Sequence, residues 1–132
     1  MIYLLDTNAC IVYLNRPISG VRQRLMALSP RDIVVCSIVK AELFYGAMRS
    51  NNPGRTLALQ EVFLNNFVSL SFDDAAARIF GTIRAELTAL GTPIGPYDLQ
   101  IAAIALVNNL ILVTHNTREF SRVNGLQIED WE

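Results

Sequence analysis

The sequence predicts an α/β domain with a mainly parallel sheet of four to five strands, covered by helices on both faces. Three observations carry that expectation. Short continuous apolar runs at 2–5, 33–36 and 110–114 have the composition of strands buried on both sides. Segments of helical periodicity lie between them, and strands alternating with helices pair in parallel through crossovers. At 132 residues, with 52% hydrophobic and 17% charged side chains, the chain has the size and composition of one globular domain over 1–132.

Taken in order, the first strand stops at Asp6-Thr7-Asn8, and Ala9, Cys10, Val12, Tyr13 and Leu14 suggest a short helix over 7–14 that Pro17 terminates. Val21, Leu25 and Leu28 at helical spacing predict a second helix over 18–28, with Arg22 and Arg24 as a basic face. After the strand at 33–36, Ser37 is placed to cap a helix running to about Arg49. The loop Ser50-Asn51-Asn52-Pro53-Gly54 precedes a helix over 55–67, where Leu59, Phe63 and Phe67 recur every four residues.

A third strand is read from the alternation at 68–72. Asp73 caps the next helix, whose stripe of Ala76, Ile79, Phe80, Ile83, Leu87 and Leu90 ends at Gly91. Pro96 stands at the first position of a helix that is apolar nearly all round, and so central. The fourth strand at 110–114 is followed by a loop over 121–125 and a short fifth strand at 126–128.

The charge balance narrows the function. Eleven Lys and Arg against twelve Asp and Glu give a net charge of −1, so nucleic-acid binding would rest on a local patch and bound cations. Lys40 is the only lysine, and arginine carries the remaining positive charge. Cys10 and Cys36 lie in apolar surroundings without CxxC spacing and read as reduced core residues of a cytoplasmic protein. No signal peptide and no apolar run of about 18 residues is present, so no membrane partner is expected.

Several acids stand where the local pattern calls for apolar or neutral residues. Asp6 ends a strand and either caps the following helix or serves as a metal ligand at the C-terminal edge of the sheet. Glu42 has Ile38, Val39, Tyr45 and Gly46 at helical spacing; its head either reaches water or is paired or metal-bound. Asp98 lies in the first turn of the central helix, where the helix dipole alone favours an acid, yet Ile101 and Ala102 on the same stripe read as buried. The fourth strand ends in Thr114-His115-Asn116-Thr117-Arg118-Glu119, repeating the arrangement after the first: Asn116 offers a carbonyl oxygen and Glu119 a carboxylate, while either also fits a local cap or ion pair. His115 reads as a polar loop residue close enough to touch a substrate. An all-oxygen cluster selects Mg²⁺ or Mn²⁺, and one histidine without clustered cysteines argues against zinc. Such a cluster suits hydrolysis of a phosphodiester.

Leu5-Asp6-Thr7-Asn8, Ala41-Glu42-Leu43-Phe44-Tyr45-Gly46, the run from Gly95 to Ala103 through Pro96-Tyr97-Asp98, and the run from Thr114 to Phe120 together resemble the PIN-domain ribonucleases, most closely the VapC-type toxins of bacterial toxin–antitoxin pairs. The resemblance spans the whole chain, including its Glu129-Asp130-Trp131 ending. It implies a three-layer α/β/α sandwich and a Mg²⁺- or Mn²⁺-dependent endoribonuclease acting on tRNA or ribosomal RNA. It further implies a homodimer held inactive by a VapB-type antitoxin whose C-terminal segment covers the groove. Asp6, Glu42 and Asp98 match the family's three acidic positions; Asn116 stands where some members carry an aspartate, with Glu119 close behind. Thr7 and Asn8 match polar positions that orient the first aspartate, with Thr114 in support. Phe44, Tyr45, Met48 and the helix over 55–67 are the expected antitoxin groove. The alternatives are a DNA-directed or structure-specific nuclease using the same acids, and a degenerate PIN module that binds RNA or protein only. A receiver domain would need paired acids near the first strand and a lysine after the last, and the sequence has neither.

Overall fold

The computed structural model describes residues 1–132. Five strands, β1 (Tyr3–Leu5), β2 (Ile33–Cys36), β3 (Val68–Leu70), β4 (Ile111–Val113) and β5 (Ile128–Glu129), form one sheet in the order β3-β2-β1-β4-β5, and every pairing is parallel. The chain steps outward from β1 to β3 and then returns to the other side of β1. With right-handed crossovers, that reversal puts the early and late helices on opposite faces. It also makes the crevice beyond β1 and β4 the switch point of the sheet, where ligands of open α/β folds bind. Asp6 and Thr114 are the first residues past these two strands.

Seven helices surround the sheet: α1 (Thr7–Asn15), α2 (Gly20–Ala27), α3 (Ser37–Met48), α4 (Pro53–Leu64), α5 (Asp74–Ala89), α6 (Pro96–Val107) and the short α7 (Thr117–Phe120). β2 is buried along its whole length, as a central parallel strand should be, whereas edge strand β3 exposes Val68. α6 buries Leu99 and every residue from Ile101 to Ala105, so its apolar circumference reflects a central position packed on α5. No helix is long and apolar enough to cross a membrane.

Several boundaries differ from the sequence expectation for local reasons. Cys36, not Ser37, precedes the first turn of α3, and its side chain makes no cap. α4 starts at Pro53 because Asn52 caps it, accepting from the Arg55 N–H at 3.2 Å. The buried side of α4 is Gln60, Phe63 and Leu64, while Leu59 is exposed and Phe67 lies past the helix end. Arg22 and Arg24 do not form a free basic face. Arg22 donates to the Tyr13 and Arg16 carbonyls and lies over the Tyr13 ring; Arg24 meets Glu129 and the face of Trp131.

Trp131 is buried, packs edge-on against Tyr3 at 5.1 Å and donates its indole N–H to Glu129 at 2.9 Å. Gly20 makes this possible: a Cβ there would lie 2.1 Å from the Trp131 carbonyl oxygen. The C-terminal segment is thereby fastened to the start of α2.

A carboxylate cavity at the switch point

Asp6 closes β1 and opens α1. Its carboxylate accepts the Ala9 N–H at 2.8 Å, so Asp6 itself is the N-cap, a role the sequence left open. It is 5% exposed, and burial is the largest influence pushing its pKa up to about 6; the Thr114 hydroxyl and the Ala9 N–H pull it down, and the charges of Asp98 and Glu132 push it up. Cys10 and Cys36 are buried free thiols whose pKa burial raises as well, with a further push from Asp6 on Cys10 and from Glu42 on Cys36.

Glu42 lies on α3 beside, not on, the stripe of Val39, Leu43 and Ala47 that faces the core. The apolar neighbours read from its sequence environment are partly cavity wall: Ile38 and Tyr45 line the same cavity, and Tyr45 is exposed. The Thr7 hydroxyl donates to Glu42 Oε1 at 2.6 Å. Thr7 therefore orients Glu42, where the family pattern implied Asp6. Asn8 lines the cavity.

Asp98 stands in the first turn of α6, half-buried. Burial raises its pKa, and the charges of Glu42 and Glu119 raise it further. Beyond β4, the buried Thr114 hydroxyl accepts the Asn116 N–H at 3.0 Å, so one threonine links Asn116 with the surroundings of Asp6. Asn116 Nδ2 donates to Glu119 Oε2 at 3.2 Å. With its amide nitrogen engaged there, Asn116 has its oxygen available as an acceptor.

Asp6, Glu42, Asp98 and Asn116 line one cavity of about 670 Å³, together with Thr7 and Asn8. Glu119 is outside the lining and stands behind Asn116. His115 is also outside it: its Nδ1 lies 3.0 Å from Asp130 and 3.8 Å from Glu132. The contact with these C-terminal acids was not legible locally, because it depends on Trp131 anchoring the segment between them.

No Lys, Arg or His lines the cavity to offset its three carboxylates. Burial raises the pKa of Asp6 and of Asp98, and neighbouring carboxylates raise both further. What relieves such a cluster is a hard cation, and an all-oxygen donor set of carboxylates and an amide carbonyl fits Mg²⁺ or Mn²⁺.

The comparisons with known proteins agree with this architecture. Residues 3–126 match the model of the PIN domain. The chain is 45% identical over 129 residues to the tRNA(fMet)-specific endonuclease VapC of Shigella flexneri, covering 98% of this chain and 97% of that one. It is 41% identical, over the same shares, to ribonuclease VapC2 of Haemophilus influenzae. Among solved structures it is similar to the DNA-bound VapBC of Salmonella typhimurium, with a TM-score of 0.94 and 42% identity over 100% of this chain and 99% of that chain.

Proposed function

The chain belongs to the PIN-domain family as a ribonuclease of the VapC type, the toxin of a toxin–antitoxin pair, and from that membership we propose how its cavity works and on what. Asp6, Glu42, Asp98 and Asn116 hold a divalent cation, Mg²⁺ or Mn²⁺, and the substrate is tRNA, cut in the cytoplasm. The single observation that carries this reading is the gathering of three carboxylates and an amide oxygen in one cavity with no basic side chain.

When bound, the cation offsets phosphodiester charge and acidifies a water for attack on phosphorus. The residues of this chain supply the rest. Asp6 is held in place by the Ala9 N–H and Glu42 by the Thr7 hydroxyl, so neither carboxylate has to be ordered when substrate arrives. Glu119 fixes the Asn116 amide from behind. Half-buried Asp98 adds the third negative charge from α6.

The partners follow from the relatives and from a second surface. The similar solved structures include toxin–antitoxin complexes, among them VapBC2 of Rickettsia felis bound to a promoter DNA fragment. A VapB-type antitoxin is the partner proposed here, with a homodimer of this chain. A cavity of about 540 Å³ between α1, α3 and α4, lined by Ile11, Tyr13, Leu59, Val62 and Phe63, suits an apolar antitoxin segment. It adjoins the carboxylate cavity, since Ile11 and Glu42 border both. Of the groove expected from the sequence it shares the helix over 55–67, whereas Phe44, Tyr45 and Met48 do not line it.

The test is cleavage of total RNA by the purified protein with Mg²⁺, mapped beside Asp98→Asn. The wild type is expected to cut tRNA at discrete sites and to lose cutting with EDTA, and the variant to cut at least about 100-fold more slowly. Equal cutting by both proteins would overturn the assignment.

A further inference from the structure

Among the exposed large apolar side chains, the two aromatic ones are Tyr45 and Tyr97, 64% and 60% exposed. The other aromatic side chains are buried or half-buried, in ring pairs such as Tyr13–Phe63 and Phe72–Phe80 or in the core, as Phe120 is. Both exposed rings line the carboxylate cavity, though they come from different elements. Tyr45 is one helical turn beyond Glu42 on α3; Tyr97 immediately precedes Asp98 on α6. A single exposed tyrosine needs no explanation. Two, both at the mouth of the same acidic cavity, call for one.

The electrostatics of the cavity indicate what they do. Three carboxylates without a base leave the cavity net negative even with one divalent cation bound, so part of the affinity for RNA has to come from contacts away from the cavity's charge. Stacking of nucleobases on aromatic rings is such a contact and tolerates any base. Arg49 extends the same surface: its guanidinium lies 5.4 Å from the centre of the Tyr45 ring, within the range of a cation–π contact, on an exposed turn where it can meet a phosphate.

We propose that Tyr45 and Tyr97 are the base-stacking platforms of the substrate site, receiving unpaired nucleobases on either side of the scissile phosphate, with Arg49 holding the backbone beside Tyr45. The inference rests on the ribonuclease reading above and deepens it. Bases inside a duplex are stacked on one another and present no free face, so the platforms admit single-stranded RNA and exclude paired RNA.

The experiment uses the full chain. Cleavage of tRNA by the wild type with Mg²⁺ is measured first. Binding of a fluorescent oligouridylate, single-stranded or annealed to oligoadenylate, is then titrated against salt in the Asp98→Asn background. Tyr45→Ala and Tyr97→Ala are each expected to weaken single-strand binding by about 5- to 150-fold with an unchanged salt slope, and Tyr→Phe at either site to restore it. In the active enzyme the same alanine variants raise KM and leave kcat nearly unchanged. Arg49→Ala lowers the salt slope by about 0.7. Wild-type cleavage together with unchanged binding in both alanine variants, equal rescue by Tyr→Leu, or equal binding of the annealed form would overturn the platforms and leave the ribonuclease reading standing. Absence of RNA cleavage by the wild type would overturn both.

Discussion

Asp6 and Asn116 follow two apolar strands that pair side by side in the middle of the sheet, Leu5 opposite Val113. The local pattern is the same at both ends: a buried run, then a cluster of small polar residues. The support is not. Asp6 is buried and caps a nine-residue helix with its own carboxylate. Asn116 is half-buried, precedes a four-residue helix without capping it through its side chain, and depends on Glu119 and Thr114 for its orientation. Charge is thus concentrated where the backbone is firmly held, and a neutral donor stands where the support is a short chain of side-chain hydrogen bonds.

The largest effect that tests this contrast belongs to Asp6→Asn. Asparagine caps a helix as well as aspartate, so α1 is retained while the charge is lost. Cleavage is expected to fall at least about 100-fold. Stability moves the other way. Asp6 ionises near 3.8 when unfolded and near about 6 when folded, so between those values the folded chain binds more protons, and the stability of the metal-free protein falls as pH rises through that window. The full penalty is about 3 kcal/mol. Metal-free Asp6→Asn should therefore melt roughly 10 °C above the wild type at about pH 7.5 and close to it at about pH 4. Binding of the cation needs ionised Asp6, so Mg²⁺ affinity of the wild type should decline as pH drops below about 6. Equal melting of the two metal-free proteins at both pH values would contradict the burial argument.

Glu119→Ala probes the other end and is expected to be milder. It leaves the cavity lining intact but removes the acceptor that orients the Asn116 amide. Loss of such an outer partner lowers metal affinity or activity by about 10- to 100-fold. Glu119→Gln, which keeps an acceptor oxygen, should recover much of it. Activity unchanged in both would mean that Asn116 needs no support from behind, and the contrast between the two ends would disappear.

The same division governs what the sequence revealed. β1, β2 and β4 were legible because parallel strands buried on both faces are continuous apolar runs, and α6 because Pro96 marks its first turn and its circumference is apolar; edge strand β3 showed only as alternation, and β5 lies at Ile128–Glu129, where 126–128 was expected. Asp6, Glu42 and Asp98 stood out as acids among apolar neighbours, and the structure brings them to one cavity. The hidden features are those that depend on distant partners. Nothing in the local sequence ties Thr7 to Glu42, 35 residues away, or requires glycine at position 20 so that the Trp131 backbone can approach. α7, four residues with Phe120 as their one buried side chain, is too short to show a period, so Asn116 and Glu119 were legible as candidates but their division of roles was not.

His115 provides the smallest and most discriminating effect. It adjoins Asn116 in sequence, yet its ring lies outside the cavity, 63% exposed and paired with Asp130 at 3.0 Å. Exposed pairs contribute at most about 1 kcal/mol, because both side chains lose freedom and solvent screens their attraction. His115→Ala should therefore lower the melting temperature by no more than about 4 °C. Cleavage should be unchanged, since the cavity keeps every lining residue. A drop in cleavage with an unaltered melting temperature would place His115 against the substrate and make the β4 end of the site a direct participant in binding RNA. Unchanged cleavage would leave that end with the narrower task of holding Asn116.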